Sequence, residues 1–146
     1  MITVRPDGRQ GMEAQVSVLV VDAANVVGSR PDGWWRDRAG ATERLLARLV
    51  ALPGTTLSGP VDCSVVVAVV EGRARDVPAP DGVRIVRAPG SGDDALVAYA
   101  AEHAADGLLV ITADRGLRDR LPAGVAVAGP GWLLGELDRI DCAPPV

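Results

Sequence analysis

Short apolar runs of the length expected for buried strands recur along this 146-residue chain, separated by amphipathic or capped segments. Val16–Val21 is a continuous β-branched run, the mark of a strand covered on both faces. Cys63–Val70 is a second such run, Val83–Val86 a shorter third, Leu108–Thr112 a fourth and Val125–Val127 a fifth. Between the first two, Ala41–Leu52 places Leu45, Leu46, Leu49 and Val50 on one helical stripe, and Pro53-Gly54 stops it. Gly28–Gly40 is expected as a loop. Glu71–Gly82 is about the minimum for a parallel crossover and too rich in proline for a good helix. Ser91–Ala104 is expected as a helix with Ser91 as N-cap and Asp94 at the capping-box position. Asp114–Leu121 is expected as a short helix and Gly131–Ile140 as the last one. Strands alternating with helices imply a parallel sheet in a three-layer α/β domain.

Composition narrows this picture. At 48% apolar residues the chain is globular, and with no Phe, one Tyr (Tyr99) and three Trp its core must be aliphatic. Residues 16–140 are expected as a single domain, residues 1–15 as a loose polar arm and residues 141–146 as a tail. Met12 is an alternative to Met1 as the start. No run approaches the roughly 18 apolar residues of a membrane span, and the N-terminus lacks the apolar middle of a signal peptide. Cys63 and Cys142 fit neither a disulfide framework nor a zinc site, so both are expected as thiols of a cytoplasmic protein. The net charge of −4 argues against a protein that coats nucleic acid through bulk electrostatics. An enzyme whose acidic site accounts for the excess charge is not excluded.

Acidic residues cluster where such a site would form. Asp22 follows the first apolar run directly, with the small residues Ala23 and Ala24 and then Asn25 behind it. Asp93 and Asp94 open a helix after the flexible lead Gly90-Ser91-Gly92; Asp114 follows the fourth run, and Asp119 lies about a turn and a half further on. Each has a structural alternative as a turn residue or helix cap. At the carboxyl ends of parallel strands, however, they share the crevice in which open α/β sheets bind ligands. Like charges crowded there repel unless a cation shares the site. Imidazole-free oxygen donors suit Mg²⁺ or Mn²⁺ rather than zinc, with Asp22, Asp93, Asp94 and Asp114 as candidate ligands. Arg30, Trp34, Trp35, Arg36 and Arg38 interleave bases and aromatics, a pattern suited to unpaired nucleotides. Arg115 and Arg118 are candidates for steadying a phosphate.

Three stretches carry a family resemblance: Val20-Val21-Asp22-Ala23-Ala24-Asn25-Val26, Ser91-Gly92-Asp93-Asp94, and Thr112-Ala113-Asp114-Arg115-Gly116-Leu117-Arg118-Asp119. Together they resemble the NYN branch of the PIN-like nucleases, including its bacterial YacP-like members, over roughly Val16 to Leu134. The resemblance implies a Rossmann-like (PIN-like) domain of about five mostly parallel strands in the order 3-2-1-4-5. It further implies hydrolysis of RNA phosphodiesters by an endoribonuclease with one or two Mg²⁺ or Mn²⁺ ions. Asp22 would be the central ligand and Asn25 its companion; Asp93 with Asp94, and Asp114 with Asp119, would complete the site. The implied partner is RNA in single-stranded regions, including RNA at the ribosome. A PIN-like module that binds RNA or the ribosome without cutting, and a metal-dependent nucleotide phosphohydrolase, remain as alternatives.

Overall fold

The structure, a computed structural model, describes residues 16–58 and 61–141. The expected N-terminal arm and residues 142–146 of the tail, with Cys142, lie outside the described residues.

β1 (Val18–Asp22) is buried at every position and occupies the middle of the sheet. It pairs in parallel with β4 (Val65–Val70) on one side and β6 (Leu108–Ile111) on the other, so that Val20 stands beside Val67 and Val110. β5 (Val83–Arg87) and β7 (Ala126–Ala128) form the two edges, both parallel to their neighbours. The spatial order β5-β4-β1-β6-β7 is the 3-2-1-4-5 order that the family resemblance implies.

The continuous apolar runs are explained by cover on both faces. Alternate residues point to opposite sides of a strand. Leu19, Val21, Val66, Ala68, Leu109 and Ile111 therefore pack one way, against Leu45, Leu46 and Leu49 of α2 (Arg38–Leu49) and Leu133 and Leu137 of α5 (Pro130–Asp141). Val18, Val20, Val67, Val69 and Val110 pack the other way, against Leu96 and Ala100 of α3 (Gly92–His103) and Leu117 of α4 (Arg115–Arg120). Among the described residues no helix is long and apolar enough to cross a membrane.

Two expectations are corrected. The run Cys63–Val70 is not one strand. Val61–Cys63 (β3) pairs antiparallel with Thr55–Leu57 (β2), its side chains alternating buried, exposed, buried, and β4 begins only at Val65. The break falls at Ser64, whose N–H and that of Val65 both donate to the Ser17 carbonyl. Glu136 of α5 holds the hairpin, accepting from the Ser58 N–H (2.6 Å) and hydroxyl (2.9 Å). Cys63 is buried, which pushes its thiol up to about 11 and keeps it protonated.

Gly28–Gly40 is likewise not a continuous loop. A short helix α1 (Ala23–Gly28) precedes it, Trp34–Arg36 form a single 3-10 turn, and α2 starts at Arg38 rather than Ala41. Asp37 caps that helix by accepting from the Gly40 N–H at 2.9 Å. A β-carbon on Gly40 would clash with the Asp37 carboxylate, so here glycine permits the cap instead of breaking the helix. The proline-rich crossover behaves as expected, with one 3-10 turn at Gly72–Ala74.

Leu96, fully buried, is the main apolar anchor that holds α3, and with it Asp93, against the sheet. Replacing it with alanine is expected to lower unfolding free energy by about 2–5 kcal/mol. Urea denaturation measures this; a loss below about 0.5 kcal/mol would mean that α3 is held by something else.

Candidate functional site

The carboxyl ends of β4, β1 and β6 lie side by side in the sheet, where open α/β sheets form their crevice, and the first turn of α3 meets the end of β4 through Gly92 and Glu71. Asp22 is the last residue of β1 and only 7% exposed. The Thr112 hydroxyl donates to its Oδ2 at 2.9 Å, and the Asn25 N–H points at its Oδ1 at 3.4 Å, capping α1. Asn25 returns a second link, its Oδ1 accepting from the Ala113 N–H at 2.8 Å. Thr112 Oγ1 also accepts from the Asp114 N–H (3.2 Å), and Asp114 caps α4 by accepting from the Leu117 N–H at 3.1 Å. The ends of β1 and β6 are thus stitched together by short polar side chains.

Glu71 directly follows β4 and reaches across to the start of α3, where its carboxylate accepts from the Gly92 N–H. A carboxylate belongs at a helix N-terminus, where free N–H groups and the helix dipole both favour it. The close approach demands glycine: a β-carbon on Gly92 would sit 2.8 Å from the Glu71 carboxyl group. Ser91 supplies the conventional cap, accepting from the Asp94 N–H at 3.3 Å.

With those N–H groups taken, neither aspartate is needed as a cap, and the two part ways. Asp93 is half-buried and takes no hydrogen bond from any described residue, whereas exposed Asp94 pairs with Arg120 of α4 at 2.7 Å. Burial pushes the Asp22 carboxyl up to about 6, opposed by the Thr112 and Asn25 hydrogen bonds and reinforced by negative Asp93 and Glu71. Burial likewise raises Asp93 above the ordinary carboxylate range; Asp114 and Glu71 add to the rise, Arg120 opposes it, and Asp94 adds a last contribution. Asp22, Glu71, Asp93 and Asp114 therefore form one electrostatically linked group.

The other candidates are distributed around this group. Asp119 is exposed on α4 and makes no polar contact with the crevice among the described residues. The Arg118 guanidinium donates to the Thr112 carbonyl at 3.0 and 3.3 Å, bracing the strand end. Arg115 is exposed in the first turn of α4. Trp34 and Arg38 line a cavity with Glu71, the guanidinium lying 5.3 Å from the indole centroid, and Trp35 is 54% exposed with its ring edge-on to Trp34. Arg36 is exposed at the end of the 3-10 turn, and Arg30 faces Asp138 of α5 at 3.6 Å. Sequence reasoning missed Glu71 and Thr112. Both carry the signal that singles out Asp22, a polar residue closing an apolar run.

Carboxylates in a shared crevice are hard oxygen donors of the kind Mg²⁺ and Mn²⁺ take. Among the described residues, no three carboxylate, imidazole or thiol groups converge as a preformed metal cage. Mg²⁺ commonly uses only one or two protein carboxylates and keeps its waters, so Asp22 and Asp93 suit a water-rich ion rather than a closed site.

Folding takes up a proton at Asp22 between its ordinary value of 3.8 and its raised value of about 6. Stability therefore falls as pH rises through that window, and the penalty is fully present above it. Asp22→Asn removes the charge while keeping an oxygen for the cap. It is expected to raise unfolding free energy at pH 7 by about 1–3 kcal/mol and to change it little at pH 3.5. Denaturant melts at the two pH values check this, and an equal effect at both would refute the assignment. Gly92→Ala should destabilise the protein by about 1 kcal/mol or more, although Gly→Ala at an unstrained helical site stabilises by about 0.4–1 kcal/mol.

Comparison with solved structures finds Rae1 (YacP) from Bacillus subtilis similar to this chain. One crystal structure superposes with a TM-score of 0.67 at 17% identity, covering 86% of this chain and 76% of that one. A variant of the same protein gives 0.63 at 19% identity, with 86% and 77% covered. No family model and no curated protein sequence matches. At such identity the likeness speaks for the course of the backbone: the chain has the fold of the YacP-like proteins.

Proposed function

We propose that this protein is a metal-dependent ribonuclease that hydrolyses RNA phosphodiester bonds at the Asp22 crevice. The observation that carries the reading is Asp22 itself. Its carboxyl is buried at the end of the central strand, raised to about 6, and faced by Asp93 and Glu71 rather than by a basic partner. A fold that keeps carboxylates together at a cost in stability is characteristic of a functional site.

Asp22 and Asp93 would hold Mg²⁺ or Mn²⁺, with Asp114 beside them. The ion would supply positive charge for the phosphate oxygens and acidify an attacking water. The chain's own contributions are positional. Thr112 and Asn25 fix the two oxygens of Asp22, Asn25 ties α1 to the β6–α4 turn, and Arg118 steadies the carbonyl of Thr112. Asp93, free of hydrogen bonds from described residues, keeps its oxygens available for the ion and its waters. Arg115, Arg36 and Arg38, with Trp34 and Trp35, would meet single-stranded RNA at the rim. Cytoplasmic RNA, including RNA at the ribosome, is the proposed substrate pool. Asp94, committed to Arg120, and Asp119, outside the linked group, are assigned no ligand role.

A second reading is an RNA-binding module that does not cut. It is favoured by the lack, among the described residues, of three converging metal ligands.

Incubation with single-stranded RNA and Mn²⁺ should give cleavage that EDTA abolishes and Asp22→Asn lowers by about 100-fold or more. Mn²⁺ should also raise the melting temperature of the native protein and leave that of Asp22→Asn unchanged. Cleavage that survives both EDTA and the substitution would overturn the proposal. RNA binding with neither cleavage nor a thermal shift decides for the module, and turnover of free nucleotides alone decides for a nucleotide phosphohydrolase.

A further inference from the structure

Beside the carboxylate crevice lies a cavity of about 360 Å³, within the usual range of small-ligand sites. Ala24, Val27 and Val70 make its apolar surface, and Trp34, Arg38 and Glu71 give it an aromatic ring, a guanidinium and a carboxylate. Small residues keep it open: Ala23 and Ala24 follow Asp22 directly, so cavity and crevice share a wall. Arg38 lies over the Trp34 indole, which holds its planar head near the aromatic wall. One Glu71 oxygen is held by the Gly92 N–H, and the other takes no hydrogen bond from any described residue.

A slot with apolar and aromatic walls and a few polar groups suits an unpaired nucleobase, which offers flat faces for stacking and polar edges for recognition. The polar pair is selective. A carboxylate takes two neighbouring N–H donors, and guanine presents them at N1 and N2; a guanidinium takes two acceptors, and guanine presents them at O6 and N7. Adenine would turn its N1 lone pair toward the carboxylate, and uracil offers a single ring N–H. A base with a mismatched edge forfeits these charge-assisted hydrogen bonds, which favours guanine over the other bases.

We propose that this cavity binds an unpaired guanine, placing the phosphate attached to that nucleotide, or to its neighbour, at Asp22 and Asp93. The assignment rests on the RNA reading above for its biological ligand, but base recognition is measurable without it.

Metal-free protein is titrated with guanosine, adenosine, uridine and cytidine 5′-monophosphates and with ribose 5-phosphate, following tryptophan fluorescence, with Trp34→Phe to assign the signal. Guanosine monophosphate should quench Trp34 saturably and bind at least tenfold more tightly than the other nucleotides. Ala24→Leu, which fills the cavity from an exposed position on α1, should abolish the quench. Glu71→Gln should bring the guanosine-to-adenosine ratio close to one; if that variant unfolds, Ala24→Leu still decides. Equal affinity for all four nucleotides, equal competition by ribose 5-phosphate, or a quench untouched by Ala24→Leu would each overturn the proposal. Selective guanosine binding without RNA cleavage would leave the cavity standing and fell the nuclease reading. Cleavage without guanosine binding would do the reverse.

Discussion

A carboxylate buried at the end of the central strand is the constraint around which the crevice is organised. Desolvation of Asp22 favours its neutral form, and a lone buried charge would be prohibitive without hydrogen bonds. The partners come from two directions: the Thr112 hydroxyl at the end of β6, and the Asn25 N–H in the first turn of α1. Because β1 and β6 are neighbours in the sheet, that pairing fixes how α1 and α4 leave it. Asn25 then adds its own bond to Ala113. The compensation is incomplete, since the carboxyl remains raised to about 6. The crevice is therefore well ordered and electrostatically strained at once, a combination that stability alone does not explain.

The second carboxylate is accommodated differently. Glu71 sits at the start of α3, where the helix dipole and the Gly92 N–H stabilise its charge. That placement has consequences along the helix. Gly92 must lack a side chain, Ser91 takes the cap, and Asp93 and Asp94 are released from capping duty. About 100° apart on the helix, they face different neighbours: Asp93 the crevice, and Asp94 the guanidinium of Arg120. Two adjacent residues of identical chemistry thus acquire different environments.

Arginine is the chain's sole basic side chain apart from one histidine, and much of it is spent on architecture. Arg48 spans Asp138 at 2.7 Å and Asp141 at 2.8 Å, clamping α2 to α5. Arg87 donates to the carbonyls of Arg75 and Val77 and closes the crossover along the β5 edge. Arg118 braces Thr112, and Arg30 faces Asp138. The planar guanidinium fork suits these multiple contacts better than an ammonium would.

The five apolar runs and the helices between them were legible in the residues, because burial on both faces and helix capping are short-range properties. Asp22 and Asp114 were legible for the same reason, each standing where an apolar run stops. Helix α1 and the early start of α2 were not, since Asp37 offsets Gly40 through a side-chain cap that composition conceals. The break at Ser64 was also hidden, because Cys63 is as apolar as Val65–Val70 and only its partner, Thr55 in the antiparallel hairpin, sets it apart. Tertiary structure alone brought Glu71, 21 residues away in sequence, against Gly92, turned Asp94 to Arg120, and set Thr112 beside Asp22. Hydrophobic periodicity along the chain specifies which positions are buried, but which acids share a charge field depends on distances between strand ends, and those exist only once the sheet has closed.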